Sequence, residues 1–431
     1  MHPRTITHFV AALIVALASA ACHSSRRPDA DSAIAGVAAD TVPLTTAVDT
    51  MALRRPDYRY LAVARDHYRA LATDRAIPAF PTPATLPVRP GDSLASVDVL
   101  RARLRALGDL SEAPAAVTDF RYVEPLVGAV RRFQRRHGLS DDGIIGRGTL
   151  AELQAPLALR VRQIDEAMAR IRLEPPVDSG PLIIVNVAAF RLFAFSGAAG
   201  HFVPTLSMRA IVGKAVRTPT PMLFEQLRYV DFRPQWNVPR SILVHEVIPK
   251  LRRDPTYLRR EDMVLVDTRD VAQGDAVTPR VIDALTAGTL RVRQRRGPRN
   301  PLGLVKFVIP NDSNIYLHDT PNKLLFADAR RDFSHGCIRL EKARDLATWI
   351  LANVGGWNAD SVNVAMAGPG FRRVMLPRPI PVILEYNTAM ATEDGVVWFL
   401  PDMYGLTGDA PGHVAQPASA PAQTGVRGAP R

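Results

Sequence analysis

Apolar residues recur at the spacing of a helix face early in the chain and at the spacing of strands in its middle. Leu61, Ala64, Tyr68 and Leu71 predict a helix over residues 58–71, and the proline-rich stretch 78–90 breaks it. Val97, Leu100, Leu104 and Leu107 form a second stripe that stops at Gly108. Val127, Val130 and Phe133 form a third that stops near Gly138, and a short helix is expected after the turn at Gly143. From Pro181 the period shortens. Residues 182–187, 191–195, 206–213, 225–232, 304–310 and 314–318 are β-branched or aromatic runs joined by short connections, which predicts antiparallel sheet. Residues 240–301 interrupt it with a helix around 243–251 and a polar, Arg-rich remainder, the pattern of an insertion lying over the sheet. A helix over 341–351, carrying Leu346, Trp349 and Ile350, closes the series. The fold class expected is α+β: a mainly antiparallel β domain with a capping insertion, a small three-helix module and a helical scaffold.

The two ends add compartment rather than core. Arg4, the apolar run 9–18 and Ala18-Ser19-Ala20 have the layout of an export signal over 1–21. Ser19-Ala20-Ala21-Cys22 also resembles a lipobox, so plain cleavage and lipidation of Cys22 both remain open, and the expected location is the periplasm or cell envelope. Residues 22–50 have linker composition, and 406–431 are Ala-, Pro- and Gly-rich with almost no large apolar residue, the composition of a disordered tail. At 431 residues and 47% apolar content the remainder can form two or three cores. The formal charge of +12 favours anionic partners, but Arg is spread through every segment, which argues for a solvated basic surface and against a nucleic-acid groove.

The chain has two cysteines, Cys22 and Cys337. With Cys22 at the end of the signal, Cys337 has no disulfide partner, and it sits in Ser334-His335-Gly336-Cys337-Ile338-Arg339. His318, in Tyr316-Leu317-His318-Asp319, stands upstream at the end of an apolar run. A thiol is mostly protonated at neutral pH, so a nucleophilic cysteine needs a base or cation beside it, and histidine supplies both. Two rival chemistries lack their residues. His245-Glu246-Val247-Ile248-Pro249 has no second histidine for a zinc peptidase, and Ser334 is not in a G-x-S-x-G turn. No metal or cofactor is expected. A wall-binding scaffold without chemistry is the reading left from another class.

Two resemblances organise these residues. Ala129-Val130-Arg131-Arg132-Phe133-Gln134-Arg135-Arg136-His137-Gly138-Leu139, then Asp142-Gly143-Ile144-Ile145-Gly146 and Thr149-Leu150, resembles the three-helix peptidoglycan-binding module. His318 with Ser334-His335-Gly336-Cys337 and Arg339 resembles the signature of the L,D-transpeptidase catalytic domain, the YkuD domain. Val212-Gly213-Lys214, Arg217-Thr218-Pro219 and Phe232-Pro234-Trp236-Asn237-Val238-Pro239 support it, and the set is most similar to the larger periplasmic YcbB-type enzymes. The implied layout is a helical scaffold over 51–92, the binding module over 93–156, a linker helix over 157–180, the catalytic domain over 181–355 with its insertion at 240–301, and a C-terminal scaffold segment over 356–405.

The resemblance implies Cys337 as nucleophile and His318 as general base, with backbone N–H groups around Gly336 and Cys337 as oxyanion donors. Arg339 orients a substrate carboxylate or braces the loop, and Tyr316 shapes the donor pocket. His335, Ser334 and Asp319 hold His318 and the cysteine loop, although for Ser334 and Asp319 a plain turn role stands equally. Some relatives carry Ser after the histidine where this chain has Asp319, which leaves the orientation of His318 open. The implied partners are peptidoglycan stem peptides and glycan strands, with a lipid anchor and cell-wall synthases as further candidates. The implied reaction is 3-3 cross-linking through a thioester, with carboxypeptidase or D-amino-acid exchange as alternatives.

Overall fold

The computed structural model describes residues 55–111, 120–198 and 201–407. The expected export signal, Cys22 and the stretch 408–431 lie outside the described residues. Leu406 and Thr407, expected in the tail, are instead held in place, the Thr407 N–H donating to Asp402 Oδ2 at 2.6 Å and the Leu406 N–H to Asp402 Oδ1 at 3.0 Å.

The strands are β1 (Gly180–Asn186), β2 (Arg191–Ala198), β3 (His201–Ile211), β4 (Leu223–Phe232), β5 (Trp236–Asn237), β6 (Met263–Asp267), β7 (Leu290–Gln294), β8 (Val305–Val308), β9 (Leu317–His318), β10 (Ile338–Leu340), β11 (Arg372–Glu385), β12 (Ala389–Ala391) and β13 (Val397–Phe399). The helices that matter here are α1 (Pro56–Thr73), α2 (Val97–Ala106), α3 (Leu126–Arg136), α4 (Arg147–Gln154), α5 (Leu157–Leu173), α6 (Ala343–Leu351) and α7 (Ala359–Ala367).

Eight strands close a barrel in the order β1-β11-β4-β8-β9-β10-β3-β2. Its pairings are antiparallel except β1 with β11 and β9 with β10. Alternate side chains of a strand face opposite sides, and one set here fills the barrel: Val185, Phe232, Phe307, Leu317, Ile338 and Val382 are all buried. Leu346 and Ile350 of α6 and Val362 of α7 join this core, so the helix behind the cysteine loop anchors it to the barrel. Each such side chain contributes about 1.5–3 kcal/mol by leaving water. Residues 372–385, expected in a C-terminal scaffold segment, are instead the strand that closes the barrel between β1 and β4. Three prolines and the charged start of this strand mask its period in the sequence.

The insertion is more ordered than its composition suggests. It contains the sheet β5-β7-β6 and a helical run over 240–253 with a π turn at Leu243–Val247, built on Val238, Leu243, Leu251, Leu265, Leu285 and Val292. β7 reads Leu-Arg-Val-Arg-Gln, a strand whose outward residues are arginines, so its charge hid its alternation.

The helical module has its own core of Val97, Leu100, Leu104, Leu126, Val130, Phe133 and Ile145. Gln134 is almost fully buried: its Nε2 donates to Asp142 Oδ1 at 3.0 Å, the Ile144 carbonyl at 2.9 Å and Thr149 Oγ1 at 3.1 Å, while Oε1 accepts the Gly143 N–H at 2.8 Å. The Phe-Gln of this motif therefore holds a turn and a core. The expected linker helix α5 is a scaffold element, packing with α1 and the β12–β13 hairpin around Tyr58, Tyr68, Ile164, Met168 and Phe399. Arg55, at the start of α1, pairs with Asp57, Glu174 and Glu385 and so ties that scaffold to β11. Burial and the neighbouring Glu174 hold Glu385 above the ordinary carboxylate range.

Candidate active site

Register brings the predicted residues together. β10 runs parallel beside β9, with Ile338 opposite Leu317 and Arg339 opposite His318, and Cys337 is the residue just before β10. Leu317 and Ile338 fill the barrel, so strand alternation turns Tyr316, His318, Cys337 and Arg339 to its outer face. The row extends across three more strands, because Lys306 stands opposite His318, Asp231 opposite Lys306 and Arg373 opposite Asp231. Five charged or ionisable residues thus line up across β10, β9, β8, β4 and β11, a span of about 19 Å. Lys306, Asp231 and Arg373 were not singled out in the sequence. Their only signal there was a polar residue at alternate positions of an apolar run.

His318 is buried and its Nδ1 lies 2.5 Å from the backbone carbonyl of Asp319. A carbonyl only accepts, so the proton sits on Nδ1 and Nε2 is left as the basic atom. The orientation left open by the sequence is thus set by a main-chain oxygen. The Asp319 side chain has other work: Oδ1 accepts from Lys323 Nζ at 2.7 Å and Oδ2 from the Leu304 N–H at 2.9 Å. Burial, then the Arg339 and Lys306 charges on either side, push the His318 pKa down to about 3. At neutral pH it is an uncharged base.

Cys337 is half-buried at the barrel rim, with its thiol 3.7 Å from the Asn314 carbonyl. Burial raises its pKa, opposed by the backbone and side chain of Tyr316 hydrogen-bonding to the sulfur and by the charges of Lys306 and Arg339. The resting pair is thiol and neutral imidazole. Lys306 Nζ lies 3.7 Å from the Tyr316 ring centre, and the Tyr316 hydroxyl hydrogen-bonds both Cys337 and Trp236 of the insertion. Arg339 Nε is buried without a hydrogen-bond partner among the described residues, and burial lowers its pKa. That cation is available to an anionic group beside the thiol.

The loop itself is braced from several sides. Ser334 Oγ donates to the Cys337 carbonyl at 2.5 Å and accepts the Gly336 N–H at 3.1 Å. The Gly336 N–H, expected as an oxyanion donor, is thus taken up inside the loop. Gly336 is needed for its φ of +113°, which L side chains rarely adopt. His335 Nε2 lies 2.6 Å from Glu246 Oε1 in the π turn, so it links the cysteine loop to the insertion. No contact places His335 on His318. Three residues that the sequence left without a role complete the clasp. Thr218 Oγ1 donates to the Ser334 carbonyl at 3.0 Å, Thr220 Oγ1 to the Gly336 carbonyl at 2.7 Å, and the Tyr404 hydroxyl to the Gly213 carbonyl at 2.7 Å.

Gly213 is the tightest point of this clasp, since a Cβ there would lie 2.0 Å from the Thr218 carbonyl oxygen and 2.7 Å from the Thr220 nitrogen. Gly213→Ala should destabilise the fold by about 2–4 kcal/mol, because backbone rather than a flexible side chain must move. Thermal unfolding checks it. A variant that melts like the native protein would show that the clasp is looser than drawn.

A thiol at the end of one strand and an oriented neutral imidazole on the next, with the insertion tied to the cysteine loop through His335 and Glu246, set out a candidate cysteine–histidine site. Comparison gives the domains. Residues 180–372 match the YkuD family, described as "L,D-transpeptidase catalytic domain", and residues 93–153 match a family described as "Putative peptidoglycan binding domain". A Haemophilus influenzae protein named "Putative L,D-transpeptidase" is 35% identical over 239 residues, which is 55% of this chain and 46% of that protein. The chain thus spans about half the length of that relative. A solved Clostridium acetobutylicum structure, titled "Fused Zn-dependent amidase/peptidase/peptodoglycan-binding domain-containing protein", covers 70% of this chain and 100% of its own at 13% identity and a TM-score of 0.20. So low a score supports no structural argument. This chain carries an L,D-transpeptidase catalytic domain and, before it, a peptidoglycan-binding domain.

Proposed function

We propose that this protein is a peptidoglycan L,D-transpeptidase that forms 3-3 cross-links through a cysteine thioester. The observation that carries the reading is the His318 imidazole, neutral, oriented through Nδ1 by the Asp319 carbonyl and one strand from Cys337. In the proposed first step the Cys337 sulfur attacks the carbonyl of the third residue of a tetrapeptide stem while Nε2 of His318 takes the thiol proton. The N–H of Cys337 faces the developing oxyanion. His318 returns its proton to the amine of the departing D-alanine, and a thioester remains. The side-chain amine of a second stem then attacks and gives a proton to His318, which passes it to the departing Cys337 sulfur and so restores the thiol and the neutral imidazole. The bond energy conserved in the thioester makes a nucleotide unnecessary. Export to the periplasm, with the signal either cleaved outright or Cys22 lipidated, completes this reading. Among the described residues no helix is long and apolar enough to cross a membrane.

Incubating the full chain with tetrapeptide muropeptides and weighing the products tests it. Dimers linked by two third-position residues, with release of D-alanine, are expected. Tripeptides alone would replace cross-linking with carboxypeptidase activity. Intact substrate, together with no carbapenem adduct on Cys337, would leave a wall-binding scaffold.

A further inference from the structure

The outer face that carries Cys337 and His318 continues into two adjoining cavities between the barrel and the insertion sheet, of about 350 and 260 Å³. They share Gln235, Arg293 and Arg296 in their walls. The larger is lined by Arg233, Arg293, Arg295 and Arg296 and by no carboxylate. The smaller adds Lys306 and Arg373 against Asp231 and Asp270. Those two acids already have partners: Arg373 Nε donates to Asp231 Oδ1 at 2.7 Å, and Asp270 pairs with Arg291 and Arg293. Arg233, Arg295 and Arg296 make no ion pair among the described residues, and Arg233 Nε is buried without a hydrogen-bond partner. Arg296 Nε donates to the Arg233 carbonyl at 2.9 Å, which turns one edge of its guanidinium inward and leaves the other for a ligand.

Collecting like charges around a concave, partly desolvated space is unfavourable unless an anion completes it. We infer that the two cavities form a subsite for carboxylates of the stem peptide, remote from the reacting bond. Their position suits that ligand. Lys306 lies in the smaller cavity and stands opposite His318, and β8 is two strands, about 10 Å, from the cysteine strand. The three stem residues up to the reacting carbonyl extend about 10 Å, so a peptide with that carbonyl at Cys337 brings its internal carboxylates to the Lys306 edge of the smaller cavity. Arginine forks bind planar carboxylates in bidentate fashion, which fixes the direction in which the stem lies. Because three of the arginines, Arg293, Arg295 and Arg296, belong to the insertion or its return strand, that element would then read the substrate as well as cover the thiol.

The inference rests on the proposed stem-peptide chemistry, so its test separates the two. The probes are a synthetic tetrapeptide stem with free internal carboxylates and the same peptide with those groups as carboxamides. Both are titrated into full-length Cys337→Ala protein, where turnover plays no part. The free acid should bind about tenfold more tightly. Arg295→Gln/Arg296→Gln should abolish that preference. Arg252→Gln/Arg253→Gln, which removes the same charge from exposed positions of the insertion outside the cavities, should keep it. Should the double variant fail to fold, Arg295→Gln alone, at an exposed position, should reduce the preference. The subsite is overturned if acid and amide bind equally, if the preference survives in the cavity variant, or if the control loses it as well. Inorganic phosphate binding that needs Arg295 and Arg296, with acid and amide equal, would overturn it in favour of a phosphate ligand. Turnover by the native protein without any preference removes the subsite and leaves the transpeptidase reading. A preference that follows the arginines in a native protein without turnover does the reverse.

Discussion

Cys337→Ser should lower transpeptidation of tetrapeptide muropeptides by roughly 10⁴- to 10⁶-fold, the loss typical of removing a covalent nucleophile. The melting temperature should stay within a degree or two of the native value, because Cys337 is half-buried and packs at the edge of the barrel core rather than within it. A carbapenem adduct is expected by intact mass on the native protein and should be absent from this variant. The pairing of those readouts is what discriminates. A thiol that merely filled space would, on replacement by the smaller and more polar hydroxyl, alter stability and leave most of the activity. Retention of more than about 1% of the turnover would sink the assignment, since the hydroxyl of serine beside a neutral imidazole is a far poorer nucleophile than a thiol.

His318→Gln is the second large effect, and pH makes it specific. Removal of the base should cost roughly 10²- to 10⁴-fold in kcat/KM. In the native protein the imidazole has its pKa pushed down to about 3, so it is already neutral well below the usual histidine range. The pH profile of Cys337 acylation should therefore be level through pH 6–7, without the inflection near 6.5 that an ordinary histidine gives. Such an inflection would mean that His318 is solvated and charged at rest. The same depression links to stability. Between about pH 6.5 and 3 the unfolded chain binds a proton at this histidine and the folded chain does not, so stability is lost as pH falls, by at most about 1.4 kcal/mol per pH unit. His137 in the helical module is also buried, with its pKa lowered, and adds a slope of the same sign. His318→Gln should remove one of the two contributions, which denaturant titrations at pH 4 and 7 would resolve.

Much of the site was open to inspection in the sequence for a physical reason. A thiol set apart from the chain's other cysteine, a histidine at the end of an apolar run and a glycine before the cysteine are local features of nucleophilic chemistry. They show wherever the chain folds. The helical module was equally legible, since its stripes are amphipathic and its Gln134 network closes over 15 residues. What escaped was non-local or disguised. β11 carries prolines and arginines and looks like scaffold until its partners β1 and β4 are known. β7 alternates arginine with apolar residues and looks like a charged loop until Trp236 and Met263 are seen beside it. The Arg339–His318–Lys306–Asp231–Arg373 row draws on five separate strands, and no spacing along the chain encodes it.

By itself, then, the sequence pointed to a kind of chemistry and to Cys337 and His318 as its candidates, because reactivity belongs to side-chain type. Only the tertiary structure decided how they are set. A main-chain carbonyl rather than the Asp319 carboxylate orients the imidazole, and Gly336 serves the loop through its conformation while its N–H stays within the loop. His335 faces Glu246 of the insertion, and two cationic neighbours with burial keep His318 neutral. Each of these depends on which strand lies beside which, and on how much water is left between them.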